Sequence, residues 1–111
     1  MITPATFDFP PIYQGDTFED LQFTISGVDL TGARIKCYLQ QPNLPEPSYK
    51  FDSDPEIDTL SVDSATEFTL KQFNIALQPG KYKHDLVIIT ADEIELTYWT
   101  GSFTVLSKTS R

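Results

Sequence analysis

The chain is poor in the residues from which disulfide-stapled and metal-bound folds are built. It has 111 residues but a single cysteine, Cys37, and a single histidine, His84. A lone cysteine cannot form an intrachain disulfide, so the framework of a small stapled secreted module is excluded. One cysteine and one histidine also fall short of the ligand set of a structural zinc site. A chain of this length can nevertheless bury one apolar core without such staples.

Basic residues are scarce, and long apolar runs are lacking. Eight lysines and arginines stand against 16 aspartates and glutamates, which gives a formal net charge of −8. A nucleic-acid binder needs a basic surface to displace counterions, and an anionic membrane also attracts basic segments. No apolar run approaches the ~18–20 residues of a membrane span, and residues 1–4 lack the features of a signal peptide. We therefore expect neither nucleic acid nor membrane as partner, and synthesis in a cytoplasm.

Catalytic motifs are lacking as well. The sequence has no glycine-rich phosphate loop and no serine nucleophile elbow. His84 is followed by Asp85, but adjacent side chains of a strand point to opposite faces, so the two cannot act as a pair. Cys37 lies between Ile35 and Leu39 on an apolar strand face, where burial makes a thiol inert. We expect no catalytic residue, no cofactor and no metal, and a chain that is not an enzyme.

An acidic run in the middle of the chain offers a calcium-loop alternative. Its members fall at alternate positions, with one more where the last ligand of a twelve-residue loop belongs: Asp52, Asp54, Glu56, Asp58 and Asp63. However, Ile57 stands where such a loop needs glycine, and Pro55 interrupts the run. The simpler interpretation is a solvated acidic turn.

The chain is rich in short segments in which apolar and polar residues alternate. Phe18 to Ser26 and Ala33 to Gln41 each place apolar side chains on one face and polar ones on the other, as half-buried strands do. Shorter segments of this kind lie near residues 6–9, 49–51 and 59–62. Residues 64–77 fit neither period cleanly, so a strand and a helical turn both stay open there. About seven to nine short strands with turns every ~8–12 residues are typical of a sandwich or a barrel.

The last third of the chain is predicted to form three strands. Pro79-Gly80 permits a tight turn into the first, a polar link leads into the second at Glu95, and Thr100-Gly101 is predicted to turn into the third. The hydroxyl of Tyr82, just inside the first of these strands, can bond back to the backbone as in the tyrosine corner of immunoglobulin-like sandwiches. Residues 108–111 are expected to fray.

These patterns together predict a single all-β domain over residues 1–111, an immunoglobulin-like antiparallel β-sandwich. Two sheets stacked ~10 Å apart would bury the apolar strand faces. The predicted core is Phe23, Ile25, Ile35, Cys37, Leu39, Leu60, Tyr82, Leu86, Ile88, Leu96, Phe103 and Val105.

Four stretches of the sequence carry a family resemblance. They are Gly15-Asp16-Thr17-Phe18, Asp29 to Leu39, Pro79 to Leu86, and Trp99 to Val105. In this order they resemble a family of small tailed-phage and prophage proteins, and they are similar to the immunoglobulin-like N-terminal domain of phage baseplate upper proteins. The resemblance implies a virion protein, made in the bacterial host cytoplasm, that binds other virion structural proteins or itself in a ring. It implies no catalytic residues.

Two functions of different classes stay open on the sequence. A virion structural or adaptor protein would dock through its loops, its edge strands and its exposed side chains. The candidate partner-binding residues are Tyr13, Tyr38, Leu44, Tyr98 and Trp99. The alternative is a glycan-binding or adhesive module, in which Tyr98 and Trp99 form a stacking platform beside acidic residues.

Overall fold

The computed structural model describes residues 5–107, so the tail predicted at residues 108–111 lies outside the described part of the chain. The strands are β1 (Ala5–Thr6), β2 (Ile12–Tyr13), β3 (Thr17–Phe18), β4 (Leu21–Thr24), β5 (Arg34–Leu39), β6 (Tyr49–Asp52), β7 (Leu60–Val62), β8 (Glu67–Leu70), β9 (Phe73–Asn74), β10 (Gly80–Ile89) and β11 (Glu95–Leu106). Within residues 5–107 no helix is long and apolar enough to cross a membrane.

One large sheet forms the first layer of the fold. Its order is β1-β11-β10-β5-β6, and β2 joins the far end of β11. The central strand β10 pairs antiparallel with β11 on one side and with β5 on the other, where Leu86 lies opposite Cys37. β1 and β2 pair with β11 in parallel, whereas the other strands of this sheet pair antiparallel. Pro10 and Pro11, which cannot donate ladder hydrogen bonds, separate the two short strands.

A second layer packs against the inner face of this sheet. It consists of a three-stranded sheet in the order β4-β8-β7 and of the pair β3-β9. Aromatic rings join the layers: the Phe23 ring lies 4.8 Å from the Trp99 ring, and the Phe18 ring lies 6.0 Å from the Phe103 ring, between centroids. The molecule is therefore an all-β sandwich, as the alternating segments predicted.

The strand order matches that of the immunoglobulin fold. There, strands G, F, C and C′ lie side by side in one sheet, and strands B, E and D in the other. Here β11-β10-β5-β6 occupy the first set of places and β4-β8-β7 the second. The predicted tyrosine corner is also confirmed, because the Tyr82 hydroxyl on β10 donates to the Gln78 carbonyl at 2.5 Å.

The described residues hold eleven strands where seven to nine were predicted, because several strands are broken. Glu19 and Asp20 separate β3 from β4, and Lys71 and Gln72 separate β8 from β9. Joining these two broken strands, and β1 with β2, leaves eight. The segment that fitted neither period is thus extended: β8 and β9 lie within it, and no helical turn forms there.

The core lies between the two layers and is largely the predicted one. Ten of the twelve predicted residues are buried, while Phe23 and Leu96 are partly buried. Eight further apolar side chains are buried: Phe9, Phe18, Leu30, Phe51, Phe68, Leu70, Ile75 and Trp99. Most of these lie on short strands or beside loops, where a run of two or three residues shows no periodicity.

The predicted turn at Thr100-Gly101 is wrong, because β11 continues through it from Glu95 to Leu106. Gly101 is needed for close approach instead. A Cβ atom built there would lie 1.6 Å from the Phe7 carbonyl oxygen, so no side chain fits. The backbone at Phe7 passes this close because its N–H donates to the Thr100 carbonyl at 2.8 Å. The glycine therefore lets the N-terminal edge of the sheet close onto β11.

A β-bulge at Tyr98 decides which side chains of β11 face inward. Leu86 lies opposite Trp99, but the next residue, Val87, lies opposite Thr97, so Tyr98 is the extra residue. The inward face of β11 consequently changes phase at the bulge. Leu96 lies opposite the buried Ile88 before the bulge, and Trp99 lies opposite the buried Leu86 after it, so both face inward. Tyr98 itself also packs against the core.

Candidate functional site

The five predicted contact residues differ in exposure. Tyr13 and Leu44 are exposed, at 47% and 46% of their surface. Tyr38 and Tyr98 are half-buried. Trp99 is only 4% exposed, and its indole packs between Phe7 and Phe23. The prediction of an exposed Trp99 is therefore wrong, since the bulge turns this side chain into the core.

These residues do not converge on one place. Tyr13 lies opposite Leu106 at the end of β11, whereas Tyr98 lies eight residues earlier on that strand. At a rise of ~3.3 Å per residue, the two positions are about 26 Å apart along the strand. Tyr38 and Leu44 are closer neighbours, because the Gln40 side chain donates to the Leu44 carbonyl at 2.9 Å and fixes the loop to the end of β5.

The outer face of the large sheet carries an unusual concentration of positive charge. Alternate residues of β5 and β10 point outward while their neighbours are buried in the core. Five of the six lysines and arginines among residues 5–107 lie on the strands of this face: Arg34, Lys36, Lys50, Lys81 and Lys83. The outer face of the large sheet is therefore rich in basic residues, although the whole chain has a net charge of −8.

Tyr38 is fixed at the centre of this face by a buried carboxylate. Its hydroxyl donates to Asp52 Oδ2 at 2.5 Å. Arg34 forms a two-pronged ion pair with Asp52, Nε to Oδ1 at 3.0 Å and Nη2 to Oδ2 at 2.8 Å. Burial alone would raise the pKa of Asp52, but the hydrogen bonds from Arg34, Tyr38 and the Asp54 N–H outweigh it and lower the pKa. Asp52 is thus a fully engaged anion.

Four lysines on the same face as Tyr38 lack acidic partners among the described residues. The Lys36 and Lys50 ammonium groups lie 5.8 Å and 5.5 Å from the Tyr38 ring centroid, within cation–π range. Among the described residues, neither these two nor Lys81 and Lys83 have a carboxylate within ion-pair distance. We call Lys36, Lys50, Lys81 and Lys83, together with Tyr38, the lysine face.

A shallow concavity of about 460 Å³ lies within the lysine face. Its lining comes from both central strands and from the loop after β5: Lys36, Tyr38, Gln40, Gln41, Pro42, Lys83, His84, Asp85 and Val87. Pro42, Val87 and the Tyr38 ring supply an apolar floor, and the lysines and glutamines supply hydrogen-bond donors. Asp85 is the single carboxylate of this lining. The arrangement suits an anionic group attached to a small apolar body.

The sequence signal for this surface was partly visible. Arg34, Lys36 and Tyr38 alternate along one strand face, and Lys81 and Lys83 alternate along another. What the alternation could not show is that these two strands are neighbours, with Val87 opposite Lys36 and Lys83 opposite Gln40. Of the predicted contact residues, only Tyr38 belongs to the concavity.

His84 and Cys37 lie in the core. The neutral imidazole of His84 accepts a hydrogen bond at Nδ1 from Trp99 Nε1 at 3.2 Å, and its Nε2 lies 3.3 Å from the Ser102 carbonyl. Burial lowers the pKa of His84 and raises the pKa of the Cys37 thiol to about 12. Both groups are thus structural in this environment, with His84 neutral and Cys37 in its thiol form.

The acidic run does not converge into a calcium loop. Asp52 is bound by Arg34 and Tyr38, whereas the Asp58 carboxylate pairs with Lys71 at 2.7 Å. Asp63 accepts from Thr69 instead. Within residues 5–107, no group of three histidine, cysteine or carboxylate side chains is placed to hold a metal ion.

Both edges of the large sheet are covered against strand addition. At the β6 edge, the Thr59 hydroxyl donates to the Lys50 carbonyl at 2.5 Å and accepts from the Asp52 N–H at 2.8 Å. At the other edge, Pro10 and Pro11 interrupt the ladder. The expected strand addition is therefore disfavoured at these two edges of the large sheet.

Searches of protein-family models and of curated proteins find no match to this chain.

Proposed function

We propose that the chain is a structural or adaptor protein of a phage virion, in its tail, baseplate or neck region, which docks to other virion proteins without catalysing a reaction. The order of the four sequence stretches supports a virion role. The lysine face supports docking, and it is the observation on which the proposal depends.

The lysine face has the properties of a protein-docking surface. It lies on the central strands of the larger sheet, whose backbone is held on both sides, so little order has to be gained on binding. Its tyrosine is fixed by Asp52, and its lysines have no ion-pair partner within residues 5–107. Unpaired charges around an aromatic centre speed association with a partner of opposite charge and orient it.

No observation favours the glycan-binding alternative. Its platform needed both Tyr98 and Trp99, and Trp99 is buried in the core. Tyr38 cannot replace that platform readily, since Lys36 and Lys50 lie over its ring.

The test is the composition of virus particles from the bacterium that encodes the chain. Particles are purified and their proteins identified by mass spectrometry, and the chain is expected at a fixed ratio to the other structural proteins. Lysine-directed cross-linking on intact particles should then join Lys36, Lys50 or Lys83 to neighbouring proteins. Lys71 lies outside the lysine face and serves as the internal control. Absence of the chain from purified particles would falsify the proposal.

A further inference from the structure

The tip of the hairpin that β10 and β11 form is a second unusual surface, and residues 91–95, the last of which begins β11, are called the hairpin tip. Ile94 within it is 55% exposed, the most exposed large apolar side chain among the described residues. Asp92 and Glu93 precede Ile94, and Glu95 follows it. Within residues 5–107 none of these three carboxylates has an ion-pair partner. An apolar side chain flanked by three free negative charges is therefore presented to solvent.

The hairpin tip is held in one shape. The Thr90 N–H donates to the Ile94 carbonyl at 2.9 Å, and the Glu93 N–H donates to the Thr90 carbonyl at 2.8 Å. The Thr90 hydroxyl accepts from the Ile94 N–H at 3.1 Å. A loop that is already ordered loses little conformational entropy on docking, so little of the favourable contact free energy is offset by the cost of ordering the loop.

The hairpin tip and the concavity of the lysine face are complementary. The tip has one apolar side chain, Ile94, among three carboxylates. The concavity has an apolar floor of Pro42, Val87 and Tyr38, and its two lysines, Lys36 and Lys83, outnumber its one carboxylate, Asp85, so its net charge is positive. A volume of about 460 Å³ is within the range of sites that enclose a ligand group. The pattern of a buried apolar anchor with charges at the rim is that of protein interfaces.

The tip cannot reach the concavity of its own chain. Both belong to the same continuous hairpin, since Lys83 and Val87 of β10 line the concavity and the strand ends at Ile89, just before the tip. The tip lies at the end of the hairpin beside the loop after β4, where Ile94 and Val28 line a separate concavity, whereas the concavity of the lysine face opens on the outer face of the sheet. Any contact between them must therefore join two molecules.

We propose that the hairpin tip of one copy docks into the concavity of the lysine face of the next copy. The proposal rests on the proposed docking function and names one partner for it, a second copy of this chain. Because the two contacting surfaces differ, the contact is head-to-tail, and repeating it closes a ring or extends a filament. Each contact is small, and ring closure makes every contact support the others.

The first test compares the self-association of variants with equal net charge. Light scattering or sedimentation is measured at rising concentration in about 0.15 M salt, where the Debye length of ~8 Å screens distant charges more than adjacent ones. The parent chain should exceed its monomer mass of 12.5 kDa. Lys36→Gln with Lys83→Gln should weaken association about tenfold or more. The control, Gln72→Glu with Gln78→Glu, changes net charge equally at exposed sites off the lysine face and should stay within about threefold of the parent.

The second test restores the contact by mixing. Lys36→Glu with Lys83→Glu reverses the lysine face, and Asp92→Lys with Glu95→Lys reverses the hairpin tip. Each variant alone should remain monomeric, but a mixture should form mixed complexes, since the intact tip of the first fits the intact lysine face of the second. A misfolded variant could not regain binding in this way. Ile94→Ser should weaken association about tenfold with no change in charge.

The outcomes separate this inference from the proposed function. A parent chain that stays monomeric at its solubility limit overturns the self-docking. Mixed variants that do not associate, although circular dichroism shows both folded, overturn it too. If the lysine-face variant is monomeric like the parent yet is lost from particles, the face binds a different acidic virion protein. That result refutes the inference and leaves the proposed function standing, which fails only if the chain is absent from particles.

Discussion

At the scale of single residues, several side chains owe their roles to one or two contacts. His84 is the clearest case, because its ring stacks on Phe9, with centroids 4.4 Å apart, and accepts a hydrogen bond from Trp99. Protonation would place a hydrogen on Nδ1 and turn that acceptor into a second donor facing Trp99. The core therefore requires the neutral ring.

His84 should make stability fall as the solution becomes acidic. Burial lowers its folded-state pKa below the 6.5 of the unfolded chain, so the unfolded state binds the proton first. Its contribution is fully present above pH 6.5 and declines as pH falls from there toward the lowered folded-state pKa. Urea unfolding between about pH 8 and pH 5 should show this decline in the parent and a flatter profile in His84→Gln. Equal profiles would mean that another group controls the transition.

Gly101→Ala should destabilise the fold by about 1–3 kcal/mol or more, because an added Cβ overlaps the Phe7 carbonyl and pushes the N-terminal edge off β11. Thr100→Ala on the exposed face of the same strand is the matched control and should cost at most about 1 kcal/mol. Urea midpoints of the two variants check the difference. Equal midpoints would show that the edge can move away without cost.

At the scale of elements, the bulge in β11 is the decisive feature. Without it, strict alternation from Leu96 would place Tyr98 inward and Trp99 outward. With it, Trp99 enters the core and stays in phase with Phe103 and Val105. One extra residue therefore determines the content of the core along half of a strand.

Deleting Tyr98 should leave a folded protein, because Leu96 and Trp99 then alternate regularly with Thr97 and both remain inward. The expected cost is the lost packing of a half-buried side chain, about 1–3 kcal/mol. Deleting Thr100 is the matched control: it puts Trp99 or Phe103 on the outer face, so no folded chain is expected. Dispersed amide spectra would identify the folded deletion. Folding of both, or of neither, would contradict the bulge as the phase-setting element.

At the scale of the whole molecule, one core is shared by both layers and Cys37 lies inside it, fully buried. Access to this thiol requires opening of the sandwich, since β5 is flanked by β6 and β10. The thiol is thus a reporter of global unfolding.

A thiol reagent should label the native chain at least about a thousandfold more slowly than the unfolded chain. Burial raises the pKa of Cys37 to about 12, so the thiolate is rare at neutral pH, and the core excludes the reagent. The control is the same reaction in urea, where one equivalent should react rapidly. Fast labelling without denaturant would reveal local opening at β5.

Much of the fold was readable from the sequence, because alternation on long strands is a local property. The segments around β5 and β10 gave the correct faces for Ile35, Leu39 and Leu86. Local patterns also placed the tyrosine corner at Tyr82. The local pattern predicted a turn at Thr100-Gly101, because glycine is common in turns, and that prediction is wrong. Gly101 instead lets the backbone of Phe7, more than ninety positions earlier, pass close to β11.

The candidate site, too, could be predicted from the sequence only in part. The sequence by itself determined that Arg34, Lys36 and Tyr38 share one side of a strand, because that depends only on the period of an extended backbone. Only the tertiary structure decided that β10 brings Lys83 beside them and that Trp99 is unavailable. Strand neighbours and bulges depend on pairing between distant segments, and no local pattern specifies that pairing.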